Sequence, residues 1–75
     1  MNAVGIIAGG GHLPFVAAAE ARARGLRVVA IGLHGETDPE LAQHVDAVHW
    51  VRLGQLGAAV RALRSEGVTD ALMLG

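Results

Sequence analysis

The residues best suited to chemistry stand in the stretch AGGGHLP, residues 8–14. Glycine has no Cβ atom, so Gly9, Gly10 and Gly11 can adopt unusual backbone angles and leave main-chain N–H groups open to a ligand. Pro14 suits the first position of a helix, where its missing N–H needs no partner. The free N–H groups of a helix start favour anions. The stretch therefore predicts a phosphate site, with a plain strand-to-helix turn as the alternative.

His12 follows these glycines and is the best single candidate for a side-chain contact with the ligand, although a surface position is equally compatible with its sequence context.

A second loop, VRLGQLG, spans residues 51–57. Gly54 is expected as the cap of the following helix, and Gln55 could hydrogen-bond a ligand. Arg52 could pair with phosphate. The alternatives are a solvated charge for Arg52 and an ordinary helix-start residue for Gln55.

The glycine stretch departs from the known nucleotide fingerprints. Pro14 stands where the third glycine of G-x-G-x-x-G belongs, and His34 follows the second apolar run where an acidic residue is expected. The chain has no lysine and therefore no Walker sequence. These departures disfavour NAD and ATP and leave FAD-like and nucleotide-sugar ligands open.

The sequence offers no complete catalytic set. It lacks cysteine, lysine and tyrosine, and its one serine, Ser65, is predicted far from the glycines. None of the four histidines has a zinc-ligand spacing. Glu36, Asp38 and Glu40 could attract a hard cation, but such clusters are more often solvated loops. We therefore predict a binding domain and assign no catalytic residue and no metal ligand.

Apolar runs and helix-forming runs alternate along the chain. The pattern predicts strands at 3–8, 27–33, 46–51 and 71–74, helices at 14–24 and 55–67, and a loop at 34–44 with one helical turn starting at Asp38 or Pro39. Gly25 and Gly67 suit the positions just after the two helices. Leu56, Ala59, Val60 and Leu63 share one helix face. This order predicts a three-layer α/β domain with a parallel sheet of about four strands.

Length and composition suggest that the 75 residues are one domain of something larger. They are 52% hydrophobic and only 17% charged, although a domain this small normally needs a polar surface. No helix follows the last predicted strand, and parallel strands need cover on both faces. We expect a front piece of a longer protein. Oligomerisation and an apolar binding surface are the alternatives.

Charge and hydropathy argue against a nucleic-acid-binding, membrane-spanning or secreted protein. A net charge of −1 gives no basis for nucleic-acid binding. No apolar run approaches the roughly 18 residues of a membrane span, and the N-terminus lacks the pattern of a signal peptide. We expect a cytoplasmic protein.

Three stretches taken together, GIIAGGGHLP, HGETDPEL and VHWVRLGQLG, resemble the amino-terminal domain of the LpxI-type UDP-2,3-diacylglucosamine pyrophosphatases. The resemblance runs over essentially all 75 residues. It implies a Rossmann-like domain, and it places Gly10, Gly11, His12, Leu13, Gln55 and Leu56 on the ligand side. Together with Arg52, they form the predicted substrate-binding set.

The resemblance further implies a bacterial enzyme of lipid A biosynthesis. Such enzymes hydrolyse UDP-2,3-diacylglucosamine to lipid X (2,3-diacylglucosamine 1-phosphate) and UMP, with magnesium held by a second, carboxyl-terminal domain. We expect residues 1–75 alone to be inactive and to bind no cofactor. Peripheral association with the inner membrane and a homo-oligomer stay open. The rival function is a Rossmann-like module that binds a nucleotide or phosphosugar without hydrolysing it.

Overall fold

The computed structural model describes residues 2–75 and shows seven elements. They are β1 (Ala3–Ala8), α1 (Leu13–Ala23), β2 (Arg27–Leu33), a 3-10 helix (Pro39–His44), β3 (Ala47–Val51), α2 (Leu56–Ser65) and β4 (Ala71–Leu74). The predicted α/β class with a four-stranded parallel sheet is confirmed. Every predicted element is present, with ends that differ by two residues at most.

The sheet has the strand order β3-β2-β1-β4, and all its strands are parallel. The chain builds outward from β1 to β3 and then crosses back to place β4 on the other side of β1. In such sheets the crevice for a ligand opens where the winding direction changes, beyond the carboxyl ends of the strands. Here that point lies between Ala8 of β1 and Leu74 of β4, which are paired in register.

The helices are placed on opposite faces of the sheet. On one face, α1 and the 3-10 helix cover an apolar cluster that includes Ile6, Val28 and Leu41. On the other face, α2 lies mainly over β2 and β3. Its buried residues, Ala59 and Leu63, pack into a second cluster. The three-layer prediction is therefore confirmed, and β4 receives less cover than the other strands.

Glycines end both helices as the sequence predicts. Gly25 has φ +80° and Gly67 has φ +77°. The residue after each glycine donates its N–H to a carbonyl five positions back, Leu26 to Ala21 and Val68 to Leu63. This pattern is the Schellman motif, which satisfies carbonyls at a helix end and turns the chain into the next strand.

Some of the predicted details are wrong. The helix α1 begins at Leu13, so Pro14 occupies its second position. Gln55, and not Gly54, is the cap residue of α2. Gly54 instead forms the preceding turn with φ +96°. Of the predicted apolar face of α2, Leu56 and Val60 remain exposed because α2 covers only part of the sheet.

No helix within residues 2–75 combines the length and the apolar character that crossing a membrane requires.

A half-buried ion cluster fixes the end of α2 to the sheet. Glu66, which follows α2, lies 2.7 Å from Arg27 of β2 and 2.7 Å from Nε2 of His49 of β3. Hydrogen bonds from Arg27 and then His49 hold the pKa of Glu66 below its ordinary value of 4.5.

The lowered pKa of Glu66 predicts a pH dependence of stability. A carboxyl whose pKa is lower in the folded state stabilises the fold above its unfolded pKa, and the contribution is lost as pH falls through the folded pKa. Urea unfolding should therefore show stability falling as pH drops below about 4.5. The Glu66→Gln variant should lose less stability over that range. Equal pH profiles for the two proteins would contradict this assignment.

Candidate functional site

The glycine turn, residues 9–12, leaves β1 at the carboxyl edge of the sheet. Gly9 donates its N–H to the carbonyl of Leu74 at 2.6 Å, so the turn starts from the β1–β4 junction. Gly11 has φ +84°, in the left-handed region that favours glycine. This conformation turns the chain from the strand into α1, and it explains why a glycine stands there.

Four consecutive main-chain N–H groups, in this turn and at the first residue of α1, lack an acceptor within residues 2–75. They belong to Gly10, Gly11, His12 and Leu13. The first N–H groups of α1 that are bonded are those of Phe15 and Val16, which donate to the carbonyl of His12. A row of free N–H groups at a helix start is a suitable binding place for a phosphate. His12 is exposed, and its side chain makes no capping hydrogen bond.

Thr37 holds the loop after β2 against this turn. Its hydroxyl donates to the carbonyl of Ala8 at 2.7 Å and accepts from the N–H of Leu33 at 2.8 Å. It is the one buried polar side chain among the described residues. A Cβ on Gly10 would lie 3.2 Å from the carbonyl oxygen of Glu36 in the same loop. The loop therefore fixes the glycine turn from one side, a role that the sequence analysis missed.

We expect Thr37→Val to destabilise the protein by about 2 kcal/mol, because it leaves two buried main-chain groups without a partner. Thr37→Ser keeps the hydroxyl and should lose less than about 1 kcal/mol, the contribution of one methyl group. Urea unfolding of both variants measures the difference. Equal losses would show that the methyl group, and not the hydroxyl, stabilises this loop.

On the other side of the glycine turn, an apolar groove of about 590 Å³ lies between α2 and the β1–β4 half of the sheet. Gly9, the first residue of the glycine turn, also lines this groove, so the groove and the glycine turn are continuous. Met73 on β4 is 75% exposed and Leu56 on α2 is 61% exposed along this groove. Further apolar residues in its lining are Ile7, Ile31, Ala59 and Leu74.

The loop from β3 to α2 forms the rim of the apolar groove. Its turn is closed by the side chain of Gln55, whose Oε1 accepts the N–H of Arg52 at 2.7 Å. The carbonyl end of Gln55 therefore shapes the loop, and only its amide NH₂ is available to a ligand. Arg52 is exposed, and its guanidinium makes no ion pair with any residue from 2 to 75. Leu53 projects from the same turn and is 87% exposed.

The predicted substrate-binding residues thus form two groups at the same edge of the sheet. Arg52, Gln55 and Leu56 line the apolar groove. The other predicted residues, Gly10, Gly11, His12 and Leu13, belong to the glycine turn and the start of α1 and do not line the groove. Gly9 connects the groups. The arrangement offers hydrogen-bond donors for an anion beside an apolar surface, and it suits an amphiphilic ligand with a phosphate.

Metal ligands do not gather in this part of the chain. Among residues 2–75, no group of three or more histidine, aspartate, glutamate or cysteine side chains is placed to hold a metal ion. Glu36, Asp38 and Glu40 do not form such a group. We therefore assign no metal ligand and no metal-dependent step to the residues of this range.

Comparison with known proteins decides the family. Residues 3–75 match the family described as the LpxI N-terminal domain. This chain belongs to that family. Over 67 residues, this chain is 37% identical to a protein of Caulobacter vibrioides (strain ATCC 19089 / CIP 103742 / CB 15) named UDP-2,3-diacylglucosamine pyrophosphatase LpxI. The match covers 89% of this chain and 23% of that relative. No solved structure gives a significant match to this chain.

Proposed function

We propose that this chain is the substrate-binding domain of a hydrolase that converts UDP-2,3-diacylglucosamine to 2,3-diacylglucosamine 1-phosphate and UMP. The observation that carries the proposal is the continuity between the free N–H groups of the glycine turn and the apolar groove. A diacylated sugar nucleotide carries both a pyrophosphate and acyl chains. It therefore matches the two surfaces better than a polar nucleotide alone does.

In the proposed mechanism, residues of this chain bind and orient the substrate. The N–H groups of residues 10–13 would hold an oxygen of the pyrophosphate, and the guanidinium of Arg52 would add a charge-assisted contact from across the edge. Both kinds of contact neutralise charge on the pyrophosphate and fix its orientation for attack by water. The apolar groove would hold acyl-chain carbons away from water.

The reaction itself is assigned to a second domain of the full-length protein. That domain would bind magnesium and supply the water that attacks the pyrophosphate. We place the activity in the cytoplasm, with the lipid substrate delivered from the inner membrane. The relative's name supports a pyrophosphatase acting on UDP-2,3-diacylglucosamine, and the match to 23% of its length is compatible with a second domain. The magnesium and the location follow from the family resemblance.

Turnover by the full-length protein tests the proposal. Incubation with UDP-2,3-diacylglucosamine and Mg²⁺ should yield UMP and 2,3-diacylglucosamine 1-phosphate, detected by ³¹P NMR. EDTA should stop the reaction, and residues 1–75 alone should show none. Binding of the substrate without any turnover by the full-length protein would contradict the proposal. It would favour the rival function of a phosphosugar-binding module.

A further inference from the structure

An aromatic pair lies at the carboxyl edge of the sheet, with one member in the loop that Thr37 fixes beside the glycine turn and the other on β3. The imidazole of His34, just after β2, and the indole of Trp50 on β3 have ring centroids 5.8 Å apart and planes inclined by 33°. His34 is exposed, and Trp50 is half-buried. The backbone N–H of His34 donates to the carbonyl of Val51 at 3.0 Å, which anchors the pair at the ends of both strands.

The absence of a side chain at Gly32 lets this pair form. A Cβ on Gly32 would lie 2.4 Å from the six-membered ring of Trp50. The indole therefore lies directly on the backbone of β2, supported by its packing. The imidazole of His34 lies against the outer side of this indole. The result is a platform with a rigid base and an exposed imidazole.

The platform of His34 and Trp50 lies at the same edge of the sheet as the glycine turn. Ala8, Gly32 and Trp50 are register partners across β1, β2 and β3. Two strand spacings, about 10 Å, separate Trp50 from the end of β1. In folds wound like this one, a nucleotide whose phosphate lies at the first turn extends its ribose toward the end of the second strand. His34 stands at that end.

We propose that His34, supported by Trp50, stacks against the nucleobase of the bound nucleotide. This inference rests on the proposed function for the identity of the base, a pyrimidine. Every nucleobase offers a π face, and stacking on an aromatic side chain makes a substantial contribution to binding. The exposed imidazole provides such a face at the end of β2, on the path that a nucleotide takes from a phosphate site at the first turn.

The test uses UMP and ribose 5-phosphate, which share the sugar phosphate and differ by the base. With full-length protein, His34→Ala should weaken UMP binding about tenfold in calorimetry. It should leave ribose 5-phosphate binding unchanged, because the phosphate site is intact. His34→Phe restores a stacking face and should recover most of the UMP affinity. Trp50 is left intact in all variants because it packs on Gly32.

Each outcome bears on the proposal. A loss confined to UMP and recovered by His34→Phe supports base stacking. An equal loss for both ligands, no loss for either, or no UMP binding by the wild-type protein would overturn it. Turnover of UDP-2,3-diacylglucosamine, measured separately, reports on the proposed function. A base-specific effect of His34 in a protein without that turnover would leave the stacking assignment standing and refute the hydrolase assignment.

Discussion

Gly11→Val in the full-length protein is expected to weaken binding of UDP-2,3-diacylglucosamine by at least tenfold. Gly11 has φ +84°, a conformation that a β-branched residue avoids. No atom lies within 4 Å of a Cβ built there, so the effect comes from the backbone and not from a side-chain clash. Relief of the strain rotates the adjoining peptide groups, and their N–H groups no longer converge on the phosphate. Losing one hydrogen bond to a charged group accounts for that factor.

Gly25→Val is a matched control for this variant. Gly25 has φ +80°, and a Cβ there would also meet nothing within 4 Å. It follows α1 at the opposite end of the helix from the glycine turn. Both variants should lose comparable stability, but only Gly11→Val should lose affinity in calorimetry. If both weaken substrate binding equally, the glycine turn contributes only to folding.

Gly32→Ala is expected to destabilise the protein by about 3 kcal/mol, since overpacking a close contact forces side chains or backbone to shift. The added Cβ would lie 2.4 Å from the Trp50 ring, with the backbone of β2 beneath it. The ring would have to leave its place. This displacement would also disturb the stacked pair of His34 and Trp50.

A double-mutant cycle checks the origin of that loss. In a Trp50→Leu background the ring is absent, so Gly32→Ala should cost much less in urea unfolding. Gly57→Ala serves as a second comparison within α2. There the added Cβ would meet only the flexible end of Arg61 at 3.3 Å. Replacing a helical glycine in this way should stabilise by about 0.5–1 kcal/mol. An unchanged stability of Gly32→Ala would show that the Trp50 ring is not fixed on β2.

Local sequence signals accounted for most of the elements. The apolar runs gave β1, β2 and β4 with the bounds that the structure has. Gly25 and Gly67 marked the helix ends because helices commonly end at a residue with positive φ, and glycine adopts this conformation without steric cost. Local signals could not decide whether Gly54 or Gln55 is the cap residue of α2. That choice depends on how the loop closes, through the hydrogen bond from the N–H of Arg52 to the side chain of Gln55.

Features that depend on the strand order were not predictable in the same way. Thr37 bonds to Ala8, 29 positions earlier, and Glu66 pairs with Arg27 across 39 positions. Neither contact has a periodic signature in the sequence. The exposure of Leu56 follows from which strands α2 covers, and this depends on the sheet order. For the same reason, the sequence could not show that Gly9 joins the two groups of predicted site residues.

The central claim is that the N–H groups of residues 10–13 bind the phosphate of the substrate. A crystal structure of the full-length protein with UDP-2,3-diacylglucosamine, grown with divalent metal chelated, tests it most directly. We predict pyrophosphate oxygens about 3 Å from at least two of these nitrogens and acyl carbons in the apolar groove. A pyrophosphate bound elsewhere, with these N–H groups facing solvent or protein, would contradict the claim.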